Sequence, residues 1–81
     1  MTAGDFQLQP GPAYAYVQLA EYIEARIGDG TLTPGARLPG ERALAEEYQV
    51  ALGTVRSALR VLRDKGLIVT TPSKGTFILN P

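Results

Sequence analysis

Cysteine, histidine and tryptophan are absent from this sequence, and each absence removes a class of chemistry. Without cysteine there is no disulfide framework and no thiolate nucleophile, in keeping with a reducing cytosol. With histidine missing as well, and the carboxylates spread over apparent helix surfaces, no nucleophile–base pair or metal-ligating cluster can be assembled. An enzyme is therefore the weakest reading, and no metal or cofactor is expected. Long apolar runs are also missing: none approaches the roughly 20 residues that a membrane-spanning helix needs. The opening Met1-Thr2-Ala3-Gly4-Asp5-Phe6 lacks both the basic and the apolar region of a secretory leader. These exclusions lead to the expectation of a soluble, cytoplasmic chain with no membrane partner. Its 81 residues suffice for one small domain, and a domain of that size buries only about 60% of the surface its unfolded chain exposes, so the core must be economical.

Net charge is absent too, yet only in the sum. Residues 1–49 carry three arginines against seven carboxylates, a balance of −4, whereas residues 50–81 carry Arg56, Arg60, Arg63, Lys65 and Lys74 against Asp64 alone, a balance of +4. The chain is an electrical dipole along its sequence. A basic half on an acidic support can hold phosphates on one face and stay in solution, although a charge run can also be no more than a solvated helix face.

Residues 1–13 are polar, interrupted by Pro10, Gly11 and Pro12, and show no period; a flexible N-terminal arm is expected there, with the folded domain spanning 14–81. Tyr16, Leu19, Ala20, Ile23 and Ile27 then recur at the spacing of an amphipathic helix that ends near Gly28-Asp29-Gly30. Its polar side carries Glu21 and Glu24, too acidic to face a polyanion. Tyr14 and Tyr16 are read as packing residues. Pro34-Gly35 marks a turn, and Arg37-Leu38 is long enough only for a stub of strand. A second helix is expected over 41–48, with Leu44, Ala45 and Tyr48 inward, and Val50 plugs the turn that follows it. A third helix runs from about 52 to 65 and is closed by Gly66, which favours a left-handed cap. Residues 67–71 and 76–80 are β-branched and aliphatic, joined by Pro72-Ser73-Lys74-Gly75 as a hairpin.

The third helix is the most informative stretch. At 100° per residue, Val55, Ala58, Leu59 and Leu62 fall within about 60° of one meridian, and Arg56, Arg60 and Arg63 fall on a stripe roughly 80–140° away. One face is made for burial, the other for something negative. An arginine-striped helix behind a short helix and ahead of a hairpin predicts a mainly α, α+β fold: a winged helix-turn-helix of three helices plus wing, with double-stranded DNA as partner. Arg56 lies where it could reach a guanine edge or a phosphate. Arg42 suits the DNA backbone, with an ion pair to Glu46 one turn on as the alternative. Thr54 and Ser57 can donate to phosphates or bases. Lys74 and Gly75 form the wing tip, where glycine permits close backbone approach. Arg60 and Arg63 lie farther along and are expected to meet phosphate or solvent.

The string Tyr16-Val17-Gln18-Leu19-Ala20, Ile23, Ile27, Gly30, Leu32, Pro34-Gly35, Arg37-Leu38-Pro39, Glu41-Arg42, Leu44-Ala45, Val50, Thr54-Val55-Arg56, Ala58-Leu59, Leu62, Gly66-Leu67-Ile68 and Gly75-Thr76-Phe77 resembles the DNA-binding domain of GntR-family bacterial transcription regulators. The resemblance implies a regulator, in most cases a repressor, that binds a palindromic operator as a homodimer. It places Arg42, Arg56, the start of the third helix at Leu52, Gly53 and Thr54, and the wing glycine at the DNA. Three positions depart from it. The family commonly has Ser where Gly40 stands, Ser-Arg at Ala51-Leu52, and Gly at Ser73, so the DNA sequence read need not be the family's usual one. Leu52, about 60° from Val55 on the helical wheel, could pack on a thymine methyl or turn inward as an extra core residue. Family members usually continue into an effector domain; the chain is then either an excised domain or a minimal regulator. A winged-helix protein-interaction module that no longer reads DNA is the competing function, and the arginine stripe argues against it, since such faces carry exposed apolar residues.

Overall fold

The computed structural model describes residues 6–10 and 13–79. Helix α1 spans Ala15–Gly28, strand β1 Arg37–Leu38, α2 Glu41–Tyr48, α3 Leu52–Asp64, β2 Ile68–Thr71 and β3 Gly75–Ile78. The helix and hairpin positions expected from periodicity are met within a residue or two. Asn80, the expected end of the last strand, lies outside the described residues. The stub at Arg37–Leu38 pairs antiparallel with β3, giving a three-stranded sheet in the order β1-β3-β2.

Each helix contributes the apolar stripe its spacing dictates. Leu19, Ala20, Ile23 and Ile27 of α1, Leu44 and Tyr48 of α2, and Val55, Ala58, Leu59 and Leu62 of α3 are buried together with Leu38, Ile68 and Ile78 from the sheet. Val50 packs on this core from the turn between α2 and α3. Gly66 closes α3 at φ 75°, with its own amide bonded to the Arg63 carbonyl at 3.0 Å and the Leu67 amide to the Leu62 carbonyl at 3.0 Å. That pair of bonds is the Schellman arrangement, and it turns the chain directly into β2. In the wing turn the Lys74 amide reaches the Thr71 carbonyl at 3.0 Å, with Pro72 second and Ser73 third at φ 65°. A type II turn wants glycine at that third position, so Ser73 holds a conformation that side chains resist.

Two expectations about the N-terminal part are corrected. The segment 6–10 is docked, not free: the Phe6 ring meets Tyr22 of α1 at 5.2 Å and Tyr48 of α2 at 5.5 Å, both edge-on, and the Gln9 amide donates to Gln18 Oε1 at 2.8 Å. Phe6 is an isolated aromatic with no period around it; its slot exists only because α1 and α2, each packed on α3, bring the rings of Tyr22 and Tyr48 within 6.0 Å of each other. Burial among these rings pushes the Tyr48 phenol above its usual range. The remainder of the expected arm, residues 1–5, 11 and 12, lies outside the described residues. Tyr14 does not pack inward. It is 72% exposed and stacks on Tyr16 at 6.1 Å, because it precedes the first turn of α1.

None of the three helices has a side-chain N-cap; Tyr14, Gly40 and Ala51 occupy those positions in extended conformation without a capping bond. Ala51→Ser should therefore stabilise the domain by about 0.5–2 kcal/mol. For a domain this small that corresponds to a rise of roughly 4–8 °C per kcal/mol in melting temperature, measurable by circular dichroism. No rise would show that the α3 amides are already satisfied by water.

Candidate nucleic-acid interface

The electrostatics of the outer surface follow from which cations are already paired. Lys65, at the C-terminal end of α3, bonds Glu24 of α1 at 2.8 Å. Arg56 Nε reaches Glu41 Oε1 at 3.1 Å, joining the first half of α3 to the start of α2. Arg63, expected to meet phosphate or solvent, instead donates from Nη2 to Thr70 Oγ1 of the wing at 2.8 Å. Among the described residues Arg37, Arg42, Arg60 and Lys74 are exposed and make neither an ion pair nor a side-chain hydrogen bond. The pair considered between Arg42 and Glu46 is not formed.

The other candidate positions sort by depth. Gly53 is exposed at the start of α3; Leu52, Thr54 and Ser57 are half-buried around it. Leu52 does not join the residues packed on the core, so it is available at the surface it shares with Thr54. Gly75 sits at φ 121°, and a Cβ built on it would lie 2.6 Å from Arg37 Nε. The Arg37 side chain thus lies across the wing tip; its exposed end could swing aside from a Cβ, so it is the backbone conformation that calls for glycine.

Arg37 and Glu41 are the two residues that sequence reasoning did not place at the site. A cleft of about 300 Å³ has Arg37, Glu41, Leu59, Arg63, Gly75 and Thr76 on its walls. The start of α2, the outer stripe of α3 and the wing therefore adjoin. The polar–apolar step Arg37-Leu38 was a faint signal for Arg37, and in the structure the first is exposed and the second buried. The register Arg37↔Phe77 that carries it to the wing is a tertiary fact. Neither group with a shifted pKa lies here: the Asp29 carboxyl, held below its usual range by the Thr31 side chain and amide, is at the end of α1, and Tyr48 faces Phe6. The arrangement presents cationic side chains and hydrogen-bond donors on one surface.

Three helices, a tight turn between α2 and α3, and a hairpin laid beside a basic outer stripe define a winged helix-turn-helix. Residues 15–78 match the family described as "Bacterial regulatory proteins, gntR family", and the chain belongs to that family. It is 37% identical over 70 residues to the HTH-type transcriptional repressor NagR of Bacillus subtilis (strain 168), covering 86% of this chain and 29% of NagR. It is 35% identical over 75 residues to the histidine utilization repressor of Pseudomonas putida, covering 93% of this chain and 30% of that protein. The chain thus spans less than a third of these relatives. Among solved structures it resembles the AraR DNA-binding domain in complex with operator ORX1, with TM-score 0.78, 30% identity, and coverage of 88% of this chain and 92% of that one. It also resembles a GntR family transcriptional regulator from Listeria monocytogenes, with TM-score 0.83, 26% identity, and coverage of 90% and 64%.

Proposed function

We propose that this chain is the DNA-reading part of a cytoplasmic transcription regulator, a repressor, whose two copies bind the half-sites of a palindromic operator. The observation that carries the reading is the set of cations left unpaired. Arg37 across the wing, Arg42 at the start of α2, Arg60 on the outer stripe of α3 and Lys74 at the wing tip are exposed and without ionic partners, while Lys65 and Arg56 are paired with carboxylates. Phosphates are the natural counterions for such a set. In this reading the start of α3, at Leu52, Gly53, Thr54 and Arg56, enters the major groove, and Ser57, Lys74 and Gly75 support it from the backbone and the neighbouring groove. The operator complex of the AraR domain, similar across most of both chains, favours it.

The test is selection of bound duplexes from a random pool followed by titration at several salt concentrations. Four phosphate contacts per domain predict a log–log slope of about −3.6 for each half-site. A slope near zero, or no enriched sequence, would leave the protein-interaction reading in its place. Leu52 gives a sharper check. With leucine at this position the enriched site should favour A·T opposite it, through the thymine methyl, and Leu52→Arg should move the preference to guanine at unchanged melting temperature. Loss of thermal stability with the same base preference would show instead that Leu52 serves the fold.

A further inference from the structure

The wing is anchored at its base and open at its tip. Ile68 and Ile78 pair across the hairpin and are buried in the core. The next pair on the same side of the sheet is Thr70 and Thr76, two residues farther out, and there the apolar floor gives way to the cleft beside α2 and α3. The two-residue β1 braces β3 at Phe77 and Thr76 but leaves β2 as the outer edge strand, and a hairpin of two four-residue strands is marginal on its own, so beyond its base the placement of β2 needs a further hold. Among the described residues the hydrogen bonds that join α3 to this outer part form one chain: Arg63 Nη2 donates to Thr70 Oγ1 at 2.8 Å, and the Thr70 and Thr76 hydroxyls are 2.9 Å apart. Because Thr70 Oγ1 accepts from Arg63, its own proton is free to be donated to Thr76.

We infer that Arg63 is a positioning residue for DNA binding: through Thr70 and Thr76 it holds the wing at a fixed angle to α3, and it does not itself contact phosphate. The inference rests on the proposed reading that the wing tip meets DNA. Its logic is preorganisation. Gly75, paired with Thr71, and Lys74 in the turn lie directly beyond the Thr70–Thr76 pair, and a tip already at its working angle does not pay an ordering cost on binding. Arg63 is well suited to this duty, since it lies at the C-terminal end of the arginine stripe, nearest β2 and farthest from the end of α3 that enters the groove.

The experiment compares Arg63→Met, Thr70→Val, the double variant and Arg63→Lys on the duplex that the wild-type domain enriches. Methionine keeps the apolar stem but removes the charge together with the hydrogen bond; valine keeps the shape and neutrality of threonine and removes its bonds to both Arg63 and Thr76, so it isolates the wing's hydrogen bonding from charge. Each single variant is expected to bind about 3–10-fold more weakly, the effect of breaking the hydrogen-bonded link between α3 and the wing that both variants sever. The double variant should be no worse than either single one, and Arg63→Lys should recover most of the affinity. Lys74→Ala should weaken the wild type severalfold and have little further effect in Arg63→Met. The opposite result is equally clear: Thr70→Val neutral or tighter, with Arg63→Met weaker and its salt slope reduced by about 0.9, would make Arg63 a phosphate contact. A second readout needs no DNA. Amide hydrogen exchange over residues 69–77 of the free protein should quicken in both single variants while that of α1 stays unchanged. Unchanged exchange in the wing would overturn the inference. Failure of the wild type to bind any duplex would instead defeat the proposed function, leaving this second readout to decide on the wing.

Discussion

Arg56→Ala is expected to weaken binding of the enriched operator by about 1–3 kcal/mol, roughly 5- to 150-fold, while leaving the melting temperature nearly unchanged. The two halves of that expectation have different origins. In the free protein Arg56 is held by Glu41 at 3.1 Å, with 59% of the arginine side chain and 43% of the glutamate side chain exposed. An ion pair so open to water contributes well under 1 kcal/mol to stability, so its loss should not be felt in unfolding. On DNA the same guanidinium, one turn into α3 and tethered to the start of α2, is preset to make paired hydrogen bonds to a base edge or a phosphate. Truncation removes both bonds and strands their acceptor. Parallel titrations and melts would decide it; equal affinity for wild type and variant would take Arg56 out of the site.

Leu62→Ala should have the largest effect on stability, a loss of about 2–5 kcal/mol. Leu62 is fully buried in the last full turn of α3, in the one cluster that includes residues of all three helices and the sheet. The carbonyl of Leu62 also receives the Leu67 amide in the turn that leads into β2, so a cavity here loosens the junction between recognition helix and wing. A chain of this length has a total stability on the order of 4–12 kcal/mol, of which such a loss is a large part. The variant should melt roughly 10–30 °C lower, and a shift under a few degrees would mean that the surrounding side chains collapse into the space.

What could be read from the letters alone was what repeats at short range. The stripe Val55, Ala58, Leu59, Leu62 predicts a buried face for α3 because helical geometry alone places those residues together, and all four are buried. Gly66 and the Pro72-Ser73-Lys74-Gly75 turn were legible for the same reason, each being a local backbone requirement. Charge partners were not. Arg56 finds Glu41 fifteen positions away, and Arg63 finds Thr70 across the helix–hairpin junction. Both depend on interhelical and helix–sheet angles that no local period encodes. The local alternative, Arg42 with Glu46 on one helix face, was visible in the sequence and is not what forms. Arg37 escaped notice as a wing residue because its neighbour across the sheet is Phe77, forty positions on. Phe6 escaped because its slot belongs to Tyr22 and Tyr48, on two different helices.

The most direct measurement of the central claim is an amide NMR titration of this domain with its enriched duplex. The account predicts that the perturbed amides cluster at the starts of α2 and α3, around Arg42 and Leu52 to Ser57, and at the wing tip, Lys74 and Gly75. Those of α1 on its acidic side, at Glu21 and Glu24, should stay in place. Perturbation centred on α1 or on the Phe6–Tyr22–Tyr48 cluster, with α3 and the wing silent, would contradict it.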